Sequence, residues 1–161
     1  MAGFPVHADV PLGALIEVPS SAVMARDLAR EVDFMSIGTN DLIQYSLAVD
    51  RSNSLVTDLY KPTHPAVLRL ISNVISAGNA EGVDVSMCGE MAADPLMVPV
   101  LVGLGLEKFS MNPHAIPVVR ALIRQISFRE AGHIARRALK LVTARDVEEY
   151  LLEQLAFLLA K

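Results

Sequence analysis

Five residues of this chain combine side-chain types that could do chemistry together: Glu17, Asn40, Asp41, Arg51 and Cys88. Glu17 stands at the carboxyl end of the apolar run Leu12–Val18. Asp41 follows a second apolar run, Val32–Ile37, and the tripeptide Gly38-Thr39-Asn40. Two hard oxygen ligands at neighbouring strand ends, with room for water and a phosphate, are what Mg²⁺ asks for. The alternative use of each carboxylate is to cap the helix that follows, and this is especially cheap for Asp41, directly before Leu42. Gly38-Thr39-Asn40 would offer backbone N–H groups to an anion at a helix start. Arg51 could hold phosphate or carboxylate in bidentate fashion, or simply be solvated or pair with Asp50. Cys88 precedes Gly89 at a third strand end. A free thiol is protonated at neutral pH, which favours a proton donor over a thiolate nucleophile, and its bland alternative is an inert buried cysteine.

The remaining reactive types form no constellation. His7, His64, His114 and His133 are far apart and beside prolines or in helical patterns, so they read as structural or surface residues rather than metal ligands. Ser46 and Ser86 have no neighbouring histidine and acid to make a triad. A net charge of −4 with no basic cluster argues against nucleic acid as a partner. A single cysteine excludes an internal disulfide framework and fits a reducing cytoplasm. The first residues lack a signal-peptide pattern, and no apolar run reaches the roughly 18 residues of a membrane span, so membrane insertion is not expected.

The elements that must position these residues follow from periodicity. Residues 1–11 read as a leading loop. The strand over 12–18 is ended by Pro19. A helix then starts at Ser20 or Ser21, with Val23, Met24, Leu28 and Val32 as its apolar positions. The strand Phe34–Ile37 leads through the polar turn Gly38–Asp41 into a helix over 42–48. Residues 50–63 form a loop long enough to be functional. Pro65 opens a helix reaching about Ala80, and Gly82 stops it. Val83–Met87 is the third strand, Cys88–Ala92 the loop at its end, and a short helix runs from Asp94-Pro95 through Val102. Glu107–Met111 is the fourth strand. The remainder is helical: 117–126, then from Ser127 or Phe128 to about 141, then Thr143 onwards. Thr143 and Asp146 are spaced as a capping-box variant, and Leu151, Leu152, Leu155, Leu158 and Leu159 form an apolar stripe.

Strand and helix thus alternate about four times, which means a parallel sheet with helices between. The fold class is α/β. The alternation fits half of an eight-stranded α/β barrel or a small open doubly wound sheet, and length does not choose between them.

The stretch Ser36–Arg51, SIGTNDLIQYSLAVDR, together with Met87-Cys-Gly-Glu-Met-Ala92, closely resembles the phosphoenolpyruvate-binding barrel of Enzyme I of the bacterial sugar phosphotransferase system, formally phosphoenolpyruvate–protein phosphotransferase. Leu15-Ile-Glu-Val-Pro19, Leu59-Tyr-Lys-Pro62 and Phe109-Ser-Met111 are similar too, so the resemblance covers nearly all of residues 12–126. It implies the second half, strands five to eight, of a (β/α)8 TIM barrel spanning residues 1–126, with additional carboxyl-terminal helices over 127–161 packed on the same domain. It implies Glu17 and Asp41 as Mg²⁺ ligands, and Asn40 and Arg51 as holders of the phosphate. Gly38 and Thr39 would add backbone contacts. Cys88 would be the acid that protonates the enolate to pyruvate. The parent would pass the phosphoryl group through an enzyme histidine to the phosphocarrier HPr.

The family's further phosphate-binding arginines, its histidine-bearing domain and its HPr-docking domain have no match in this sequence, so the isolated chain is expected to be inactive. The related pyruvate, phosphate dikinase or phosphoenolpyruvate synthase is the alternative enzyme. The Tyr45–Arg51 continuation and the helical tail favour Enzyme I. A non-catalytic dimerisation module is the alternative of another kind, and a homo-oligomer is expected because a half barrel exposes strand edges and an apolar face.

Overall fold

A computed structural model describes residues 9–160; Pro5 and His7 of the expected leading loop, and Lys161, lie outside the described residues. The strands β1 (Gly13–Ile16), β2 (Phe34–Gly38), β3 (Asp84–Cys88) and β4 (Lys108–Phe109) form one sheet in the order β1-β2-β3-β4. Every neighbouring pair is parallel. This order decides between the two sheet types. Crossovers of one hand between strands laid down sequentially put every connecting helix on the same face, as in a barrel wall, whereas a doubly wound sheet reverses its strand order. The sheet has the strand order of a barrel wall, α/β as expected, with four parallel strands among the described residues.

Alternation along the strands separates its two faces. Ile16, Met35, Ile37, Val85 and Met87 are buried on the helix side. Leu15 and Phe34, on the other side, are 51% and 41% exposed. The helix layer begins with α1 (Pro19–Val23) and α2 (Ala25–Ala29), and continues with α3 (Thr39–Leu47) and α4 (Pro65–Glu81). It ends with α5 (Val98–Gly103), α6 (Ile116–Gln125), α7 (Phe128–Ala138) and α8 (Ala144–Leu159). Helix α4 lies against the sheet through Gly78, close to Val85 and Met35. One continuous core joins these strands to residues of α7 and α8, including Ile134, Val147 and Leu151.

Several expected boundaries move, each for a physical reason. The single helix expected after Pro19 is two short ones meeting at Met24, whose ψ of 14° leaves the helical range. Val23 and Met24 point outward, 66% and 51% exposed, and the buried face is Ala22, Ala25 and Ala29. Small side chains let α1 and α2 sit close to α4. At the break, the Asn73 amide of α4 donates to the Ala22 carbonyl at 2.6 Å. Arg26 and Arg30 reach Glu81 at the end of α4, at 2.6 and 3.3 Å, and hold its carboxyl below the usual range.

The polar turn expected at Gly38–Asp41 is instead the strand's last residue followed directly by the first turn of α3. Ala48, expected inside that helix, is its left-handed C-cap at φ 52°. Strand β4 covers only Lys108–Phe109, although the Ser110 amide extends the ladder to the Met87 carbonyl at 2.8 Å. Helix α5 starts at Val98 rather than Asp94, and the expected loops carry one-turn 3-10 helices at Thr57–Leu59 and Glu90–Ala93. Thr143 caps α8 by accepting from the Asp146 amide, while the full reciprocal box belongs to Ser127 and Glu130 at the start of α7.

Asp94 supplies a pH prediction. Its carboxylate accepts from the Leu96 amide at 2.9 Å, yet burial pushes it above the usual carboxylate range, with Glu148 adding in the same direction. A carboxyl raised on folding keeps its proton longer in the folded chain than in the unfolded one, so stability falls as pH rises above the unfolded value. Asp94→Asn preserves the acceptor and removes the charge. It is expected to melt higher than the parent at neutral pH, with the difference vanishing in acid, as differential scanning calorimetry across pH would read.

Candidate functional site

The carboxyl ends of β2, β3 and β4 surround a cavity of about 340 Å³ lined by Asn40, Cys88, Gly89, Glu90, Ala93, Ser110, Met111 and Asn112. Size does not single it out, since a hollow between β4 and α6 holds about 520 Å³. Chemistry does: a thiol, an amide and the first turn of a nine-residue helix converge here.

That convergence is locked by three bonds, two between segments about fifty residues apart and one spanning twenty. Thr39, wholly buried at the first position of α3, donates its hydroxyl to the Cys88 carbonyl at 3.0 Å. The Glu90 amide donates to Asn40 Oδ1 at 3.2 Å. Tyr60 donates its phenol to the Asn40 carbonyl at 3.1 Å, which fixes the middle of the long loop on the start of α3. Gly89 makes the closeness between strands possible: at φ 103° and ψ 179° it occupies a region essentially reserved for glycine. The Cys88 thiol, paired across the sheet with Gly38, donates to the Ile37 carbonyl at 3.6 Å.

The carboxylates flank this arrangement. Ile16 pairs with Ile37, so Glu17 falls beside Gly38, and a methyl group built on Gly38 would lie 3.1 Å from the Glu17 carboxylate. Asp41 is the third residue of α3, where its charge suits the helix dipole. Neither residue acts as a side-chain cap. Val18 and Gly38 hold the N-cap positions of α1 and α3 without a side-chain hydrogen bond, and no described residue donates to or pairs with either carboxylate. No side-chain cap is thus made by either, while Asp41 keeps its place in the first turn of α3.

Arg51 is exposed and does not line the cavity. Its amide donates to Gln44 Oε1 at 3.3 Å, tethering the start of the loop to α3. Asp50, its alternative partner, instead accepts from the Ser52 hydroxyl and amide at 2.7 and 2.8 Å, which hold the Asp50 carboxyl below the usual range. The Arg51 charge is felt at Tyr60. Burial raises that phenol above its ordinary range, Arg51 opposes the rise, and Glu90 and Asp41 add to it.

A family model described as the PEP-binding domain of PEP-utilising enzymes matches residues 1–128. The chain belongs to that family. The chain is 49% identical over 148 residues to phosphoenolpyruvate-protein phosphotransferase of Bacillus sp. (strain S), covering 92% of the chain and 26% of the relative. It is 48% identical over 149 residues to the protein of that name from Haemophilus influenzae, covering 90% of the chain and 26% of the relative. Over 152 residues it is 47% identical to the Bacillus subtilis protein, covering 94% and 27%. The chain thus spans about a quarter of the length of the curated relatives it matches. The resemblance to Enzyme I read from the motifs is borne out, as is the fold class. No helix among the described residues is long and apolar enough to cross a membrane.

The fold brings Asn40 and Cys88 to one cavity, Glu17 against Gly38, and Thr39 against the Cys88 backbone, while Arg51 stays outside. Tyr60, Glu90, Ser110 and Asn112 also belong to the site's surroundings and carry no role in the sequence reading. The first three lie inside motifs that carry the resemblance, so those motifs were the available signal.

Proposed function

We propose that this domain supplies one side of the phosphoenolpyruvate site of a phosphoenolpyruvate–protein phosphotransferase, whose parent passes the phosphoryl group through a histidine to HPr and releases pyruvate in the cytoplasm. The observation that carries the reading is the cavity shared by Asn40 and Cys88, with two carboxylates, Glu17 and Asp41, that have no hydrogen-bond or ion-pair partner among the described residues, at the adjoining strand ends. Asn40 lies in the first turn of α3, whose N–H groups have no intrahelical partner and suit an anion. Gly38 and Thr39 provide that backbone, and Arg51 adds a guanidinium to neutralise phosphate. Cys88 presents a proton at the cavity wall.

The donor set fits Mg²⁺. Among the described residues no three His, Cys, Asp or Glu side chains converge, and Mg²⁺ is commonly held by one or two carboxylates with water and substrate phosphate oxygens completing its shell. Glu17 and Asp41 would hold the ion, which when bound would neutralise the charge on the substrate's carboxylate and phosphate. The reading also places the chain in a homo-oligomer, with Leu15 and Phe34 as the apolar surface to cover.

Calorimetric titration of phosphoenolpyruvate into the chain tests the reading. Mg²⁺-dependent binding is expected, at least about tenfold weaker in Asp41→Ala, a loss of one ion-binding carboxylate. No pyruvate should be released by the chain alone. Absence of Mg²⁺-dependent binding in the parent chain, or equal binding by Asp41→Ala, would overturn it.

A further inference from the structure

Resting on the proposed role of Cys88 as proton donor, we infer that Ser36 is the residue that positions the Cys88 sulfur and receives its charge when the proton leaves. Ser36 lies on β2 two residues before Gly38, on the same helix-free face of the sheet as Cys88. Its hydroxyl donates to Cys88 Sγ at 3.8 Å, while the thiol donates to the Ile37 carbonyl at 3.6 Å. Both residues are partly buried, and Cys88 lines the cavity while Ser36 sits one step further down the strand. Ser36 is the hydrogen-bond donor to this sulfur among the described residues.

The two bonds have opposite preferences. The bond to the Ile37 carbonyl exists only while sulfur carries its proton. The bond from Ser36 strengthens when sulfur becomes anionic, because a donor facing a charged acceptor makes the stronger, charge-assisted bond. During protonation of the enolate, the π pair of its carbon–carbon double bond forms the new C–H bond of pyruvate. The S–H bond breaks, and its electron pair stays on sulfur as thiolate. Water then returns the proton. Ser36 holds the sulfur in place while the proton turns from the Ile37 carbonyl into the cavity, and then stabilises the thiolate. Ser86, the register partner of Ser36, does not duplicate this, since its hydroxyl donates to the Met35 carbonyl at 3.3 Å.

Because the chain has a single cysteine, thiol chemistry reads Cys88 alone. The experiment compares iodoacetamide alkylation, followed by mass spectrometry at neutral pH, in the parent chain, Ser36→Ala and Ser36→Thr, with circular dichroism confirming the fold of each. Loss of one hydroxyl donor lowers the thiolate population, partly offset by higher nucleophilicity, so Ser36→Ala is expected to react about two- to threefold more slowly. Ser36→Thr keeps a hydroxyl and should restore the parent rate. The infrared S–H band should move to higher frequency in Ser36→Ala, since a sulfur that no longer accepts a bond donates a weaker one. Unchanged alkylation and S–H band in Ser36→Ala, or a threonine variant as slow as the alanine one, would overturn the assignment. Adding Mg²⁺ with phosphoenolpyruvate should slow alkylation of the parent chain. Slowing by Ser36→Ala without that protection would count against the substrate reading and not against the Ser36–Cys88 coupling.

Discussion

Gly89→Ala is expected to lose about 3 kcal/mol of stability and to dismantle the cavity, making it one of the most damaging single changes available at the site. Two costs add. At φ 103° and ψ 179°, a residue with a Cβ is forced into a region that costs on the order of 1–3 kcal/mol. The new methyl would also lie 2.4 Å from Thr39 Oγ1 and 3.1 Å from Asn40 Oδ1. Thr39 is wholly buried and bonded to the Cys88 carbonyl, so it cannot swing aside without giving up that bond and leaving a polar atom unpaired. Gly82→Ala separates the two costs. Gly82 also has a positive φ, 73°, but nothing lies within 4 Å of its added methyl, so a loss of about 1 kcal/mol is expected there. Urea unfolding of both variants checks this. Equal losses would mean that the contacts with Thr39 and Asn40 are not part of what glycine preserves.

The same contacts show where sequence reading reached and where it stopped. Parallel α/β alternation was legible because buried strands such as Val83–Met87 and helices such as 65–80 have different apolar periods, punctuated by Pro65 and Gly82. Glu17, Asp41 and Cys88 were legible as strand-end residues, and strand ends on a parallel sheet face one way. The sheet's kind was not legible, because strand order is a property of pairing, which local pattern does not encode. The helix break at Met24 was missed because Val23 and Met24 look like core residues. The structure instead buries Ala22, Ala25 and Ala29, whose small size matters only once α4 approaches. Thr39 is the sharpest case. A threonine after a glycine reads as part of a turn, yet its hydroxyl serves a carbonyl 49 residues later, a partner no local rule could name. Ser36 eluded the reading for the same reason, its sulfur partner being 52 residues away.

Gly103→Ala is expected to cost about 3 kcal/mol or more, and the reason lies in how the helical tail joins the barrel wall. A methyl on Gly103, the last residue of α5, would fall 2.0 Å from the Ala131 carbonyl oxygen and 2.9 Å from the Ala135 methyl of α7. The first neighbour is backbone and has no rotamer to change, so α5 and α7 must separate. Their separation would open the core around Val98, Leu101, Ile134 and Ala138, all buried in one cluster. Alanine has the better intrinsic helix propensity by about 1 kcal/mol, so a destabilised variant cannot be attributed to the helix itself. Gly132→Ala, in α7, provides the opposite sign. Its methyl would meet only the movable end of Arg136 at 3.3 Å, and the propensity gain should stabilise the chain by up to about 1 kcal/mol. If α5 and α7 share one cooperative core, urea unfolding of Gly103→Ala will shift fluorescence and circular dichroism transitions together. A loss confined to one early transition, with the rest unmoved, would show instead that α7 and α8 melt apart from the sheet. The positions of Glu17, Asp41 and Cys88 would then owe nothing to the tail.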